Sequence, residues 1–183
     1  SDNIVPRLAT RLEPRDLIIY EMMIDDFTKD QERLVYQSPI DTVIDKLDYI
    51  RDLGFNAIEF MPWIAWPGNE FSWGYNPFMY FAVEHRYTDH PREPAEKLSR
   101  LKRLISECHE RGLHVIMDGV FNHVQAGSEN SGFAYYWLYK NPGDCPFVGQ
   151  FGEGGFLDEI DFQNKCTAQF ILDVCRYWID VFG

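Results

Sequence analysis

Three short apolar runs punctuate the chain, at residues 17–22, 57–61 and 114–118. Each run is continuous rather than alternating between apolar and polar positions, a pattern typical of strands that are buried on both faces. We therefore predict three strands, the second of which stops at Pro62.

Segments with helical spacing lie after each predicted strand. The first helix is predicted to begin with Ser38 as N-cap and Pro39 in the first turn, and to end at Gly54. The second is predicted from about Pro94 to Arg111, and the third from about Thr167 to Phe182. Strand and helix thus alternate three times, which favours an α/β fold with parallel strands and helical crossovers.

Polar side chains follow the third apolar run directly. Asp118 ends it, and Asn122 and His123 come four and five positions later. Ligands of open α/β sheets and β/α barrels bind at the carboxyl ends of the strands. These three residues predict either a functional site at that end of the sheet or, as the alternative, a turn capped by Asp118 with His123 as a solvated loop residue.

A second cluster, of aromatic residues, lies in the stretch rich in proline and glycine that follows the second strand. Trp73 and Tyr75 belong to it, together with several rings that we expect to cover the edge of the core. Aromatic rings beside carboxylates suit sugars, because sugar C–H faces pack on rings while hydroxyl groups bond to carboxylates. The cluster is therefore suited to a carbohydrate ligand, although covering the edge of the core is the expected role of most of its rings.

The composition excludes two classes of partner. The 183 residues include 17 basic and 29 acidic side chains, a net charge of −12, and no cluster of Lys or Arg is present. A nucleic acid or an anionic membrane surface would be repelled. No apolar run is long enough for a transmembrane helix or a signal peptide, and because a cleaved signal would leave no trace, the chain could be cytoplasmic or exported.

The motifs resemble those of a known family. Residues 118–123, Asp-Gly-Val-Phe-Asn-His, resemble the D-x-V-x-N-H signature of the α-amylase family, glycoside hydrolase family 13. The Trp-Gly-Tyr-Asn-Pro run at 73–77, followed by Tyr80, Phe81 and Glu84, resembles the second β→α loop of its amylase, debranching and branching members. Residues 160–164 resemble the segment that precedes the fourth barrel strand, although Asp161 departs from the usual Pro-Asp-Leu-Asn context.

This resemblance implies a fold. The family's catalytic domain is a (β/α)8 or TIM barrel, which needs eight units over about 250 residues. We expect residues 1–183 to be the N-terminal part of such a domain, a partial TIM barrel of about three β/α units with residues 124–164 inserted after the third strand. An open barrel exposes strand edges, so self-association is expected as well.

The resemblance also implies a role for each site residue. His123 would donate a hydrogen bond to the sugar, Tyr75 and Trp73 would bind it, and Asp118 would orient an arginine outside this chain. Asn122 and Asp161 would be calcium ligands through their oxygens, which suit a hard cation. The substrate would be an α-glucan or maltooligosaccharide.

Retaining glycoside hydrolysis needs a nucleophilic carboxylate and an acid/base carboxyl group. In this family both follow later strands, so we expect them beyond residue 183 and predict that the chain alone is inactive. The leading hypothesis is a fragment of an enzyme that hydrolyses or transfers α-glucosidic bonds. Two alternatives are a debranching or branching enzyme acting on α-1,6 linkages and a non-catalytic carbohydrate-binding module, which would be monomeric and stable alone.

Overall fold

The fold is taken from a computed structural model of the chain. The residues that the structure describes are 4–29, 38–67, 72–88, 90, 92–125, 144–149 and 158–183. Much of the predicted insertion at 124–164 therefore lies outside the described residues.

The described residues form helices and strands whose bounds are as follows. The helices are α1 (Ile24–Lys29), α2 (Pro39–Ile44), α3 (Leu47–Asp52), α4 (Pro94–Glu110) and α5 (Lys165–Phe182). The strands are β1 (Ile19–Met22), β2 (Ala57–Phe60), β3 (Ile64–Ala65), β4 (Met79–Val83), β5 (His114–Met117), β6 (His123–Val124), β7 (Val148–Gly149) and β8 (Asp158–Ile160).

The three predicted strands form one parallel sheet in the order β1–β2–β5. Ile19 pairs with Ala57, which pairs in turn with His114. The three strands keep their chain order in the sheet, and each connection between them contains helices. The prediction of a parallel α/β arrangement is confirmed.

The first predicted helix is instead two helices, α2 and α3, separated by a turn at Asp45 and Lys46. Ser38 caps α2 as expected, with its hydroxyl oxygen accepting from the Asp41 N–H at 3.2 Å. The Lys46 N–H then bonds to the Val43 carbonyl only three residues back, so the α-helical ladder is interrupted. Apolar spacing continues through this turn, and for that reason the pattern did not reveal the break.

The core lies between the sheet and the helices. The large side chains that are fully buried include Tyr80, Tyr87, Phe60, Leu101 and Leu104. Trp178 of α5 donates from its indole nitrogen to the Tyr80 carbonyl at 2.9 Å, which fastens α5 to strand β4. The last helix therefore packs on the loop region that carries the aromatic cluster.

Two structures lie within segments predicted to be irregular. The loop after β2 contains an antiparallel hairpin, β3 with β4. Strands β6, β8 and β7 form a small antiparallel sheet in which His123 pairs with Glu159. Except for the five residues of β4, these strands have only two or three residues, which is too short a pattern to be recognised by periodicity.

None of the described helices is long and apolar enough to cross a membrane.

Candidate functional site

The site lies at the carboxyl ends of β2 and β5. Asp118 comes directly after β5, and its N–H donates to the carbonyl of Phe60, the last residue of β2, at 3.0 Å. This bond extends the parallel ladder by one residue. It thereby holds the Asp118 carboxylate at the edge where α/β proteins bind ligands.

Tyr75 reaches Asp118 from the loop between β3 and β4. Its hydroxyl donates to the Asp118 Oδ2 at 2.6 Å, while 37% of the residue remains exposed. Burial, the hydrogen bond to Asp118 and the charges of Asp118, Glu21 and Glu59 raise the pKa of Tyr75 to about 12. The hydroxyl therefore remains a protonated donor across the physiological range, and the ring is anchored by one end.

The side chain of His123 also holds Tyr75, through the backbone carbonyl of the tyrosine. The Nε2 of His123 lies 2.6 Å from the Tyr75 carbonyl oxygen, and its Nδ1 lies 2.6 Å from the Asn122 side-chain nitrogen. A carbonyl can only accept, so Nε2 is the donor in the bond to Tyr75. His123 is only 8% exposed, and it holds Tyr75 to the segment after β5.

This geometry bears on the role expected of His123. In the structure its Nε2 proton is directed at Tyr75 rather than at open solvent. A direct hydrogen bond from His123 to a sugar stays a prediction.

Further hydrogen bonds join the aromatic loop to the segment after β5. Asn76 donates from its side-chain nitrogen to the Gln125 Oε1 at 2.9 Å and accepts from the Ser72 hydroxyl at 3.0 Å. The Gln125 N–H donates to the Pro77 carbonyl at 3.0 Å. Asn76 is suited to this bridge because an amide donates and accepts at once.

The aromatic cluster divides into buried and exposed rings. Trp63, Trp66 and Tyr80 are at most 3% exposed and belong to the core. Trp73 is 57% exposed and lies two residues from Tyr75. These two residues offer ring surface to a ligand at the site.

Two carboxylates that the sequence interpretation did not single out face this site. Glu21 and Glu59 occupy the third positions of β1 and β2, where they pair in register. The negative charges of both help to raise the pKa of Tyr75. A carboxylate in the middle of an apolar strand is rare and could have served as a signal. Together with Asp118 they make this end of the sheet strongly acidic.

The two predicted calcium ligands lie in different local structures. Asp161 accepts at Oδ1 from the N–H groups of Gln163 and Asn164, at 2.9 and 3.3 Å, and so orders the turn before α5. Asn122 holds His123. No group of three or more His, Cys, Asp or Glu among the described residues could hold a metal ion. Calcium binding by Asn122 and Asp161 stays a prediction.

The fold and the site thus define an α/β enzyme-type domain with an aromatic and acidic site at the carboxyl edge of a parallel sheet. The family model for the α-amylase catalytic domain matches residues 38–142, more than half of the chain. The chain therefore belongs to the α-amylase family, glycoside hydrolase family 13.

Similar proteins include a pullulanase from Bacillus subtilis, 29% identical over 93% of this chain and 26% of its own length. The malto-oligosyltrehalose trehalohydrolase of Saccharolobus solfataricus is 33% identical over 95% of this chain and 27% of its own length. Among solved structures, the pullulanase of Anoxybacillus sp. LM18-11 complexed with maltotetraose superimposes with a TM-score of 0.80 and 29% identity, over 95% of this chain and 28% of that one. The chain spans about a quarter of the length of these relatives.

Proposed function

We propose that this chain is the substrate-binding N-terminal segment of an enzyme that cleaves or transfers α-glucosidic bonds by a retaining mechanism. The observation that carries the proposal is the double anchoring of Tyr75, by Asp118 at its hydroxyl and by His123 at its carbonyl. A ring held at both ends and still partly exposed is a preorganised surface for a sugar, because little conformational freedom is lost on binding.

In this proposal the three-stranded sheet forms the first strands of a (β/α)8 barrel. Strands β1 and β5 are the edges of the sheet. A cavity of about 280 Å³ lies beside β5, lined mostly by apolar side chains that include Val115, Met117, Trp178 and Phe182. An apolar cavity beside a strand edge suits the packing of a further strand and helix.

The bond-breaking carboxylates belong, in this proposal, to strands beyond residue 183. The Asp118 carboxylate already accepts a hydrogen bond from the Tyr75 hydroxyl, and His123 is buried against the Tyr75 carbonyl, so neither is arranged as a nucleophile. Their work is to bind and orient the sugar. Donors held in place at such a site strengthen as charge develops in the transition state.

Binding can be tested on the chain itself by titration calorimetry with maltotetraose. We expect binding to the unmodified chain and its loss in Tyr75→Ala. Tyr49→Ala is the matched control, because Tyr49 is also an exposed tyrosine, 57% exposed on α3 and outside the site. Equal affinity of both variants for maltotetraose would rule out the Tyr75 surface, and cellotetraose tests whether the α-linkage matters.

A second, finer proposal is that the full-length enzyme is a debranching enzyme. It is favoured by the pullulanases found in both kinds of comparison and by the Trp-Gly-Tyr-Asn-Pro run at 73–77. The similarity to a malto-oligosyltrehalose trehalohydrolase supports the alternative that the full-length enzyme is not a debranching enzyme. Assaying the full-length protein on pullulan and on linear maltodextrin separates the two, since a debranching enzyme releases reducing ends from pullulan and few from the linear chain.

A further inference from the structure

Glu84, directly after β4, is a buried carboxylate behind the aromatic loop. Its side chain has no solvent exposure. A carboxylate in such a place is costly unless several donors satisfy it. Its partners therefore indicate what it holds in position.

The two oxygens of Glu84 bind residues that lie before and after β4 in the sequence. Oε2 accepts from the Trp66 N–H at 3.1 Å, where the chain leaves β3. Oε1 accepts from the N–H and the Nε of Arg86, at 3.2 and 2.9 Å, and lies 2.7 Å from the Nδ1 of His85. One carboxylate thus joins the start of the loop that carries Trp73 and Tyr75 to the segment that follows β4.

The contacts continue from Arg86 through Trp66 to Gly74. The Arg86 guanidinium lies 4.8 Å from the centroid of the Trp66 ring, within the range of a cation–π interaction. Gly74 lies close to the same ring, since a Cβ there would stand 3.1 Å from the Trp66 Cζ3 and 2.8 Å from the Pro62 carbonyl oxygen. Gly74 also has φ +86°, a backbone conformation that would be strained for a residue with a side chain. Tyr75 is the next residue.

We propose that Glu84 is a positioning residue for sugar recognition: through Arg86 and Trp66 it fixes Gly74, and with it the place of Tyr75 against Asp118. The sugar part rests on the proposed function, whereas the link from Glu84 to Tyr75 rests on geometry alone. A carboxylate that served only stability would change the unfolding of the whole domain and leave the Tyr75–Asp118 bond intact in the folded state.

The test is Glu84→Gln, which preserves size but places a donor where one oxygen accepted. Either Trp66 or Arg86 then loses its acceptor. The readout is the ionisation of Tyr75, followed by NMR of protein labelled at the tyrosine Cζ and assigned with Tyr75→Phe. We expect the pKa of Tyr75 to fall from about 12 toward its ordinary value of 10.0. Glu110→Gln, on an exposed glutamate at the end of α4, should leave it unchanged.

A second readout is the affinity for maltotetraose, which we expect to fall about tenfold in Glu84→Gln. If the unmodified protein does not bind maltotetraose, the proposed function fails, and the ionisation of Tyr75 still decides the role of Glu84. A folded Glu84→Gln protein in which Tyr75 ionises as in the unmodified protein overturns the proposal.

If Glu84→Gln does not fold, Arg86→Lys replaces it. Lysine keeps the charge but loses the planar guanidinium that bonds to Glu84 and lies over Trp66. The same downward shift of the Tyr75 pKa is expected. An unchanged pKa would overturn the proposal that Glu84 positions Tyr75 through Arg86 and Trp66.

Discussion

Replacing Tyr75 by phenylalanine removes the hydroxyl that bonds to Asp118 and leaves the ring in place. A hydrogen bond to a charged group contributes about 1.5–3 kcal/mol to stability. Because 37% of Tyr75 is exposed, solvent screening reduces this to about 1 kcal/mol. For a domain of this size that loss lowers Tm by about 2–4 °C.

The pH dependence of this difference follows from the raised pKa of Tyr75. In the folded protein the hydroxyl titrates at about 12, and in the unfolded chain at its ordinary 10.0. A raised pKa contributes stability that is fully present below pH 10 and is lost as the pH rises through about 12. The Tm advantage of the unmodified chain over Tyr75→Phe should therefore be constant from pH 7 to 9.5 and shrink above pH 10.

The assay is a series of thermal melts of both proteins, followed by circular dichroism in matched buffers. The other tyrosines titrate in both proteins and cancel in the difference. Two results would refute the reasoning: an equal Tm for the two proteins at pH 8, or a difference that persists unchanged to pH 11.

Three further predictions concern stability and association. Burial lowers the pKa of His109, so the folded state resists protonation of this side chain. The free energy of unfolding should therefore fall as the pH drops below 6.5. His109→Gln should weaken that fall, as measured by urea titrations at pH 7.5 and 5.5. Leu104→Ala, at a fully buried position, should cost about 2–5 kcal/mol in the free energy of unfolding. The open edges of β1 and β5 predict that the mass measured by light scattering rises above 21.5 kDa with increasing concentration.

Matched controls separate these effects from unspecific ones. His90→Gln removes an exposed histidine and should leave the pH dependence unchanged. Leu172→Ala, at a position 44% exposed, should change stability by less than about 0.5 kcal/mol. A mass that stays at 21.5 kDa at every concentration would contradict association through the sheet edges.

The regular elements of the fold were predictable because their patterns are long or continuous. The three parallel strands follow from apolar runs, and the capping of α2 by Ser38 follows from the residues that favour helix starts. The turn between α2 and α3 was not predictable, because the apolar face runs through it unbroken. The β3–β4 hairpin was not predicted because the two residues of β3 are too few to show an alternating pattern.

The sequence singled out Asp118, His123 and Tyr75 as site residues, and their roles toward a sugar stay predictions. In the structure Tyr75 forms a hydrogen bond with each of the other two. That His123 holds the carbonyl of Tyr75 depends on tertiary geometry, which spacing along the chain does not encode. The role of Glu84 likewise could not be predicted, because nothing in the sequence distinguishes this buried carboxylate from the other acidic residues.

The most direct test of the central claim is an experimental structure of the protein with bound maltotetraose. We predict a glucose ring packed on the exposed face of Tyr75, with the Tyr75 hydroxyl still bonded to Asp118 and Trp73 beside the sugar chain. Maltotetraose bound elsewhere, with the surface formed by Tyr75 and Trp73 left uncovered, would contradict the account.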